Sequence, residues 1–329
     1  MNMTKTPSHV AIIGAGMAGL SCALTLQAAG VQVSVFDKSR GPSGRMSTRR
    51  GDGWQCDHGA QYFTARHPDF RDEVERWVRA GVAGLWQPRL RSYDGKQWST
   101  PQSALERFVG TPRMTSPAAW LAADLPLTLQ TTITQLQQQP DGWELTSAEN
   151  GPMPQRFDAV VLAVPSVQAT PLVQPVAPGL ASVSASAVMR GNWTLMVQFD
   201  APLALGFDGV FVNHGPLSWV ARDSSKPGRT GAETWLLHAS PDWSEAHIED
   251  TPEAVAPVLL QAFAALGGPA PASYTAHRWR YADTSPPLSM GCAWDSVARI
   301  GLCGDWLNGG KVEGAWLGGR AMAQRVLQE

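Results

Sequence analysis

The sequence predicts an α/β fold of two domains, and three features carry that expectation. A strand, a glycine turn, a helix and a second strand open the chain, the start of a βαβ unit and of a sheet covered by helices. Between Pro165 and Cys292 the texture changes to Pro-rich connections and strands, which marks most of a second, β-rich domain. A last strand, a Gly-Asp turn and a glycine-laced helix then close the chain. At 329 residues, 43% of them apolar, there is material for two cores.

The elements follow in order. In "HVAIIGAGMAGLSCALTLQAAGVQVSVFDKS", Val10 to Ile13 form a short apolar run. Met17, Leu20 and Leu24 recur at helical spacing, Gly30 stops that helix, and Val31, Val33 and Val35 alternate with polar residues. "DFRDEVERWVRAGV" predicts a helix with Phe70, Val74, Trp77 and Val78 on one face, and "LWQPRLRSYDGKQWST" two strands around the Asp94-Gly95 turn. "SPAAWLAADL" reads as a helix capped by Ser116 with Pro117 at its first position. Leu127 to Leu145 alternates as a hairpin broken at "QPDGW", and Phe157 to Val164 is a buried strand. The second domain shows strands in "NWTLMVQF" and "TWLLHAS" and one helix in "PEAVAPVLLQAFAAL". "ARIGLCGDW" is the last strand and turn, and "GKVEGAWLGGRAMAQRVL" the closing helix, beginning near Gly310. The division this implies is residues 1–67, 108–165 and 292–329 for the first domain and 68–107 and 166–291 for the second.

Composition excludes several function classes. The formal net charge is -2 and no basic block stands out, so nothing points to nucleic acid or an anionic membrane surface, and small molecules are the expected partners. "MNMTKTPSHV" lacks a charged start followed by a long apolar run, and no stretch approaches the length of a membrane span; a cytoplasmic chain is expected. Oligomeric state is not legible. Cys22, Cys56, Cys292 and Cys303 are scattered, without C-x-x-C or zinc-ligand spacing. They read as reduced, unpaired thiols and supply no close redox-active pair.

The chemistry-bearing motif comes first in the chain. Gly14-Ala15-Gly16-Met17-Ala18-Gly19 is a G-x-G-x-x-G set between a strand and a helix, the context this motif requires. Gly14 permits the tight turn, Gly16 lets backbone approach a pyrophosphate, and Gly19 allows close helix packing. Asp37 ends the second strand, where a carboxylate accepts from ribose hydroxyls. That much describes a Rossmann-like unit for NAD or FAD alike. Arg45 stands on a glycine turn just beyond, suited to holding a guanidinium against phosphate oxygens. Far away, Asp305 follows a strand and can bind a ribityl hydroxyl, while the helix that begins near Gly310 can face the flavin edge where negative charge develops on reduction. Nucleotide contacts at one end of the chain and isoalloxazine contacts at the other favour one long FAD; noncovalent binding is the expectation, and no cysteine lies in an evident attachment motif.

With "GAGMAGL", "GPSGRMSTRR", "DHGAQYFTAR", "AHRWRYA" and "CGDW…GGKVEGAW" in place, the chain resembles the flavin amine oxidase superfamily and, within it, the bacterial renalase family, from about Val10 to Val326. The resemblance implies a two-domain flavoprotein, with a Rossmann-like FAD domain and a mixed, β-rich substrate domain. It implies an FAD-dependent oxidase of dihydronicotinamide dinucleotides reduced at ring C2 or C6, giving NAD(P) and passing electrons to oxygen as hydrogen peroxide. Its cofactor residues would be Gly14, Gly16, Ala18 and Gly19, then Asp37, Lys38 and Arg45, then Ala60, Gln61 and Tyr62, and finally Asp305, Lys311 and Val312. Gln61, Phe63, Thr64 and Tyr281 would line the substrate. No side chain is assigned the chemistry and no metal is expected. Two other readings stay open: a generic amine oxidase or desaturase of the same superfamily, and a non-catalytic flavin or dinucleotide sensor.

Two departures from the family pattern are visible. Ser43 stands in the arginine turn where Gly is usual, and needs φ below zero unless strained. Lys311 stands where amine oxidases commonly carry an aromatic cage residue; it is either a wall suited to an anionic group or a solvated lysine at a helix start.

"CDHGAQYFTAR" adjoins a thiol, a carboxylate and an imidazole, yet a metal site or triad needs convergent partners and none is identifiable. The segment is expected to be a pocket wall, with Asp57 a turn or charge-pairing residue and His58 no general base. On the strand at Ala276 to Ala282, Trp279 and Tyr281 share a face, Trp279 as core and Tyr281 toward the nicotinamide; Arg280 would meet a phosphate or a structural carboxylate. His214, His238, His247 and His277 read as structural or exposed.

Overall fold

In the computed structural model, which describes residues 7–102 and 104–329, the opening unit lies at the centre of a six-stranded sheet. Most of the stretch read for a targeting signal, residues 1–6, lies outside the described residues. His9–Ile13 pairs in parallel with Gln32–Phe36 and with Ala159–Leu162. Leu127–Thr128 and Ile300–Cys303 extend the sheet in parallel on either side, and Cys292–Asp295 closes one edge antiparallel to Ile300–Cys303.

The described helices are α1 (Met17–Ala28), α2 (Pro68–Arg79), α3 (Ser116–Ala122), α4 (Ser166–Val173), α5 (Pro178–Ala185), α6 (Pro241–Ala246), α7 (Pro252–Ala265) and α8 (Val312–Leu327). Side chains alternate across the parallel sheet, so both of its faces need cover. Val10, Ile12, Val33 and Val35 enter one core with α1 and α8. Ala11, Ile13, Val160 and Leu162 enter the other with α4, α5 and Trp143 of a small antiparallel sheet. Helices α1 and α8 meet backbone to backbone: a Cβ at Gly319 would fall on the Ala18 carbonyl oxygen.

The second sheet has seven strands, in the order Ser273–Thr284, Met189–Phe199, Glu233–Ala239, Leu217–Arg222, Gly209–Val212, Leu90–Tyr93 and Trp98–Ser99. It is antiparallel except between Gly209–Val212 and Leu90–Tyr93. Trp193, Leu195, Trp235 and Leu237 pack on Val255, Leu259 and Phe263 of α7 to give it a core of its own. A parallel sheet with helices on both faces, joined to a β-rich sheet, is the α/β architecture the sequence predicts.

Several local expectations change. Val78 is 42% exposed while Phe70, Val74 and Trp77 are buried; the fourth buried position of α2 is taken by Glu73, which accepts from Trp77 Nε1 at 2.7 Å. The hairpin is shorter than expected, Ile133–Gln139 with Gly142–Ser147, since Leu127–Thr128 is recruited to the edge of the parallel sheet. Ser116 lies inside α3 and its hydroxyl accepts from the Arg113 N–H instead of capping; Thr115 occupies the cap position. The stretch after Pro165 holds four helices instead of one; α4 and α5 are short and without a strong amphipathic stripe, α4 carrying Pro171 inside it and α5 being rich in Ser and Ala. Both pack against the parallel sheet. The thiols are all free, but two are not scattered: Cys292 and Cys303 are direct partners in the antiparallel edge pair. Residues far apart in a β-hairpin's sequence are adjacent in its ladder, which spacing rules for Cys do not detect.

Candidate active site

The dinucleotide turn is built as its glycines require. Gly14 adopts φ +108, and a Cβ there would sit 2.5 Å from the Ala163 carbonyl oxygen. A Cβ at Gly19 would fall on the Gly14 carbonyl, so the start of α1 is packed onto the turn. At Gly16 nothing lies within 4 Å of the same position, and Gly16 is the N-cap of α1 with no side-chain cap. Open space at the exposed N–H end of a helix is what a pyrophosphate needs, so the residues present fit the nucleotide group. Ala18 is buried in the first turn of α1. Asp37 ends its strand and turns back on the loop: Oδ2 accepts from the Ala15 N–H at 2.7 Å and Oδ1 from the Ser39 N–H at 2.7 Å. Lys38 beside it is exposed.

Three sequence-distant segments meet at this turn. The Ser43 N–H donates to the Ala15 carbonyl at 3.0 Å, and a Cβ at Gly44 would be 3.4 Å from Gly16 Cα. Ser43 holds φ 133, so the turn keeps the conformation a glycine would have and the serine takes the strain. Arg45 then reaches the other end of the chain, pairing with Asp305 and donating to the Ala282 carbonyl at 3.0 Å. The two residues read separately as phosphate and ribityl ligands are thus neighbours. The Arg45 carbonyl accepts from the Ala60 N–H at 3.0 Å, and a Cβ at Gly59 would collide with that same carbonyl. Beyond Asp305, Lys311 is the exposed N-cap of α8 and Val312 is half-buried. Glu313 accepts from the Arg66 and His67 N–H groups at 2.6 and 2.7 Å, fixing the first turn of α8 to the end of the "GAQYFTAR" segment.

Along that segment the side chains divide. Gln61 is buried; its amide donates to the Asp57 carbonyl at 2.7 Å and its oxygen faces Lys226 Nζ at 3.3 Å. Tyr62 joins Trp86 and Trp219 at ring separations of 6.3 and 5.7 Å, with the Arg107 guanidinium 5.3 Å from its ring. Phe63, expected toward the substrate, turns its ring into the core among Phe70, Trp77 and Phe108 and is 3% exposed. Thr64 is half-buried. Tyr281 is half-buried on the edge strand, next to the Ala282 carbonyl that Arg45 holds. Arg280 resolves to a structural carboxylate, Glu249 at 2.6 and 3.0 Å.

Asp57 is a charge-pairing residue, and its partners were not legible in the sequence. Lys226 Nζ lies 3.0 Å from Asp57 and 2.7 Å from Asp223, with all three side chains 0% exposed. Arg229 pairs with the same Asp57 oxygen. Burial works against the Asp57 charge, but Lys226, Arg229 and the Thr48 hydroxyl hold its pKa down to about 2. Burial and the Asp57 charge push Asp223 up to about 6, against the pull of Lys226 and Arg229. The signal available was the spacing of Asp223, Lys226 and Arg229 in "DSSKPGR", which reads as a solvated loop unless the packing is known. Asp57, Asp223, Lys226 and Arg229 form a neutral set that pins the Gln61 segment to the loop between two strands of the seven-stranded sheet.

His58 is equally constrained. Its ring stacks on Trp279 at 5.2 Å and meets His277 edge-on at 4.8 Å. Its carbonyl accepts from Trp279 Nε1 at 2.8 Å and lies 3.4 Å from His238 Nε2. Burial, then His277 and Arg49, lower its pKa to about 3. Such an imidazole is neutral at ordinary pH and forms an enclosed wall with Trp279 and His277. Trp279, expected as plain core, is half-buried and carries this wall. A cavity of about 400 Å³ at Val167, Pro171 and Ala187 lies among α4 and α5, and one of about 290 Å³ borders Ala65 of the same segment, Arg71, Val78 and Phe108. Among the described residues no group of His, Cys, Asp and Glu is arranged for a metal, and no helix is long and apolar enough to cross a membrane.

Known proteins resemble this chain in sequence and in fold. Residues 12–77 match the NAD(P)-binding Rossmann-like domain, and residues 91–327 match flavin containing amine oxidoreductase. A tRNA 5-methylaminomethyl-2-thiouridine biosynthesis bifunctional protein of Magnetococcus marinus is 31% identical over 216 residues, 51% of this chain and 31% of that protein. An L-amino acid oxidase of Crotalus durissus cumanensis is 38% identical over 77 residues, 23% of this chain and 16% of that protein. The chain therefore spans less than a third of the length of either relative. Cyclohexylamine oxidase from Brevibacterium oxydans shares the fold, with TM-score 0.75 at 12% identity over 98% of this chain and 99% of that one. With the flavin family's pattern running through most of its length, behind a dinucleotide turn of matching build, the chain belongs to the flavin containing amine oxidoreductase family.

Proposed function

We propose that this flavin-dependent oxidoreductase is an FAD-dependent oxidase of the renalase type, oxidising the 2- or 6-dihydro isomers of NAD(P) in the cytoplasm. The observation that carries the reading is the charge and shape of the Tyr62 wall. It is made of flat aromatic rings, Tyr62, Trp86 and Trp219, and the charge set over Tyr62 is the Arg107 guanidinium. A guanidinium there opposes an ammonium substrate, whereas a neutral dihydropyridine ring with an anionic tail suits it. Lys311 is exposed, which favours its solvated reading, and no weight rests on it.

FAD, when bound noncovalently, supplies the hydride acceptor at N5 and hands the electrons on to oxygen, giving hydrogen peroxide. The chain's part is placement. Gly14, Gly16, Ala18 and Gly19 would carry the pyrophosphate, Asp37 and Lys38 the ribose end, and Arg45 with Asp305 the middle of the cofactor. Ala60, Gln61, Tyr62 and Val312 would border the flavin, and Gln61, Tyr281 and Thr64 the nicotinamide. Phe63 supports that wall from behind. No side chain need remove a proton, because the donor ring becomes aromatic on losing hydride. Residues 68–107 and 166–291 are the proposed substrate domain, with α4 and α5 leaning on the cofactor sheet.

The test is anaerobic stopped-flow reduction of the FAD-loaded protein by separated 2-, 4- and 6-dihydroNAD and a panel of amines at equal concentration. The 2- or 6-isomer should bleach the flavin fastest. The 4-isomer should lag by on the order of 10²-fold, since a ring docked for C2 or C6 leaves C4 misplaced by an ångström or more. If an amine is fastest, the generic amine oxidase reading replaces this one. If no donor bleaches the flavin, the sensor reading does.

A further inference from the structure

The edge of the parallel sheet carries a feature that this reading does not use. Cys292 and Cys303 face each other as direct partners in an antiparallel ladder. Such partners share one face of the sheet with Cβ atoms about 4.5–5.5 Å apart, the lower end of which meets the upper end of the about 3.5–4.5 Å that a disulfide spans, so a small closing of the edge pair bridges them. A second observation fixes which face. One step along the same side, Trp294 opposes Gly301, and a Cβ at Gly301 would press on Trp294 and on Met322 of α8. The intervening pair, Ala293 and Leu302, enters the opposite core. Cys292 and Cys303 therefore both point to the α8 side, where Cys22 of α1 joins the same hydrophobic cluster. Cys292 is half-buried and Cys303 fully buried, so a small oxidant from solvent meets Cys292 first.

We propose that Cys292 and Cys303 are a dithiol that consumes hydrogen peroxide by closing to a cross-strand disulfide. The sulfur of Cys292 attacks one peroxide oxygen, breaking the O–O bond and leaving a sulfenic acid and one water. The sulfur of Cys303 then attacks that of Cys292, forming the S–S bond and releasing the second water. Two thiols and one hydrogen peroxide thus become one disulfide and two waters, and a reducing dithiol reverses the change. Burial raises the Cys292 thiol above its ordinary pKa, only partly offset by Arg325, so the first step is slow and responds to sustained exposure. The source of peroxide rests on the oxidase reading above. Cys303 stands two residues before Asp305, so the dithiol sits at the cofactor sheet itself.

The experiment separates the two ideas. FAD-loaded protein is exposed to added hydrogen peroxide without substrate, then denatured, alkylated, digested and mapped by mass spectrometry. A Cys292–Cys303 crosslinked peptide should appear, two of the four thiols should be lost, and dithiothreitol should restore them. Cys292→Ser and Cys303→Ser should each abolish the crosslink. Over-oxidised Cys292 beside a free Cys303, a crosslink to Cys22, or four intact thiols would each overturn the proposal. A second arm uses turnover with 2- or 6-dihydroNAD under air, with and without catalase. A crosslink with added peroxide but none during turnover supports the dithiol and counts against the oxidase reading.

Discussion

Lys226 has no side-chain surface in contact with solvent, and its ammonium is met by two carboxylates that are equally enclosed. Removing one member of such a set leaves an uncompensated buried charge, which costs about 3–5 kcal/mol, whereas removing a balanced pair costs far less. Lys226→Met leaves Asp57 and Asp223 sharing one guanidinium and should be strongly destabilising. Asp223→Asn combined with Lys226→Met leaves Asp57 with Arg229, still neutral. Urea melts should therefore find the double variant more stable than the single Lys226→Met variant. Costs that simply add would show that the four groups do not act as one network. At this scale the sequence was half legible. Asp57 could be read as turn or charge-pairing from its neighbours, and the structure selects pairing. Its partners could not be named, because a lysine in "SKPGR" carries every mark of a solvated loop. What buries it is a long-range fold of the loop after Leu217–Arg222 onto the "CDHGAQ" strand.

The crossing of α1 and α8 shows what glycine does for whole elements. The glycines of the G-x-G-x-x-G turn were legible from their spacing, since each has a backbone reason. Those of α8 were legible only as unusual, because the reason lies on another helix. A Cβ at Gly319 would fall on the Ala18 carbonyl and crowd the Cys22 N–H, both backbone groups that cannot step aside. Gly319→Ala should therefore force the helices apart at about 1–3 kcal/mol, the usual cost of overpacking. Because α1 begins at the dinucleotide turn, the displaced helix should also hold FAD less tightly. Thermal melts with and without added FAD, read beside flavin absorbance, measure both effects. Gly179 in α5 gives the contrast: nothing lies within 4 Å of its Cβ position and its φ is not positive. Gly179→Ala should stabilise by about 0.4–1 kcal/mol through the unfolded chain. Equal effects at the two positions would remove the packing argument for α8.

Across the whole molecule, architecture was legible because strand, glycine turn and helix periodicity are local signals, while the seam between the two sheets is written in residues that meet only after folding. That seam has a titration behaviour of its own. His58, His238 and His277 come from the "GAQYFT" side and from two strands of the seven-stranded sheet, and burial is the first cause lowering each pKa, to about 3 for His58 and about 4 for His238. His58 and His238 stay neutral in the folded chain down to about pH 5 and take up protons near pH 6.5 when unfolded; the lowered His277 acts in the same direction. Below that pH the unfolded chain binds more protons, so stability is lost as pH falls. Asp223 acts in the opposite sense: with its folded pKa near 6 it binds a proton between about pH 4 and 6 that the unfolded carboxylate has released. One such proton offsets one histidine and leaves the others in control. Asp57, held down to about 2, enters only at far lower pH. Each uncompensated proton is worth roughly 1.4 kcal/mol per pH unit, so urea melts should lose about 2–3 kcal/mol between pH 7 and pH 5. His58→Phe keeps a ring stacked on Trp279 and removes one titrating group, so its loss over the same interval should be visibly smaller. A His58→Phe profile parallel to that of the unaltered protein would mean that the imidazole at the centre of the seam is solvated, and that the wall behind Gly59 and Ala60 is looser than its distances say.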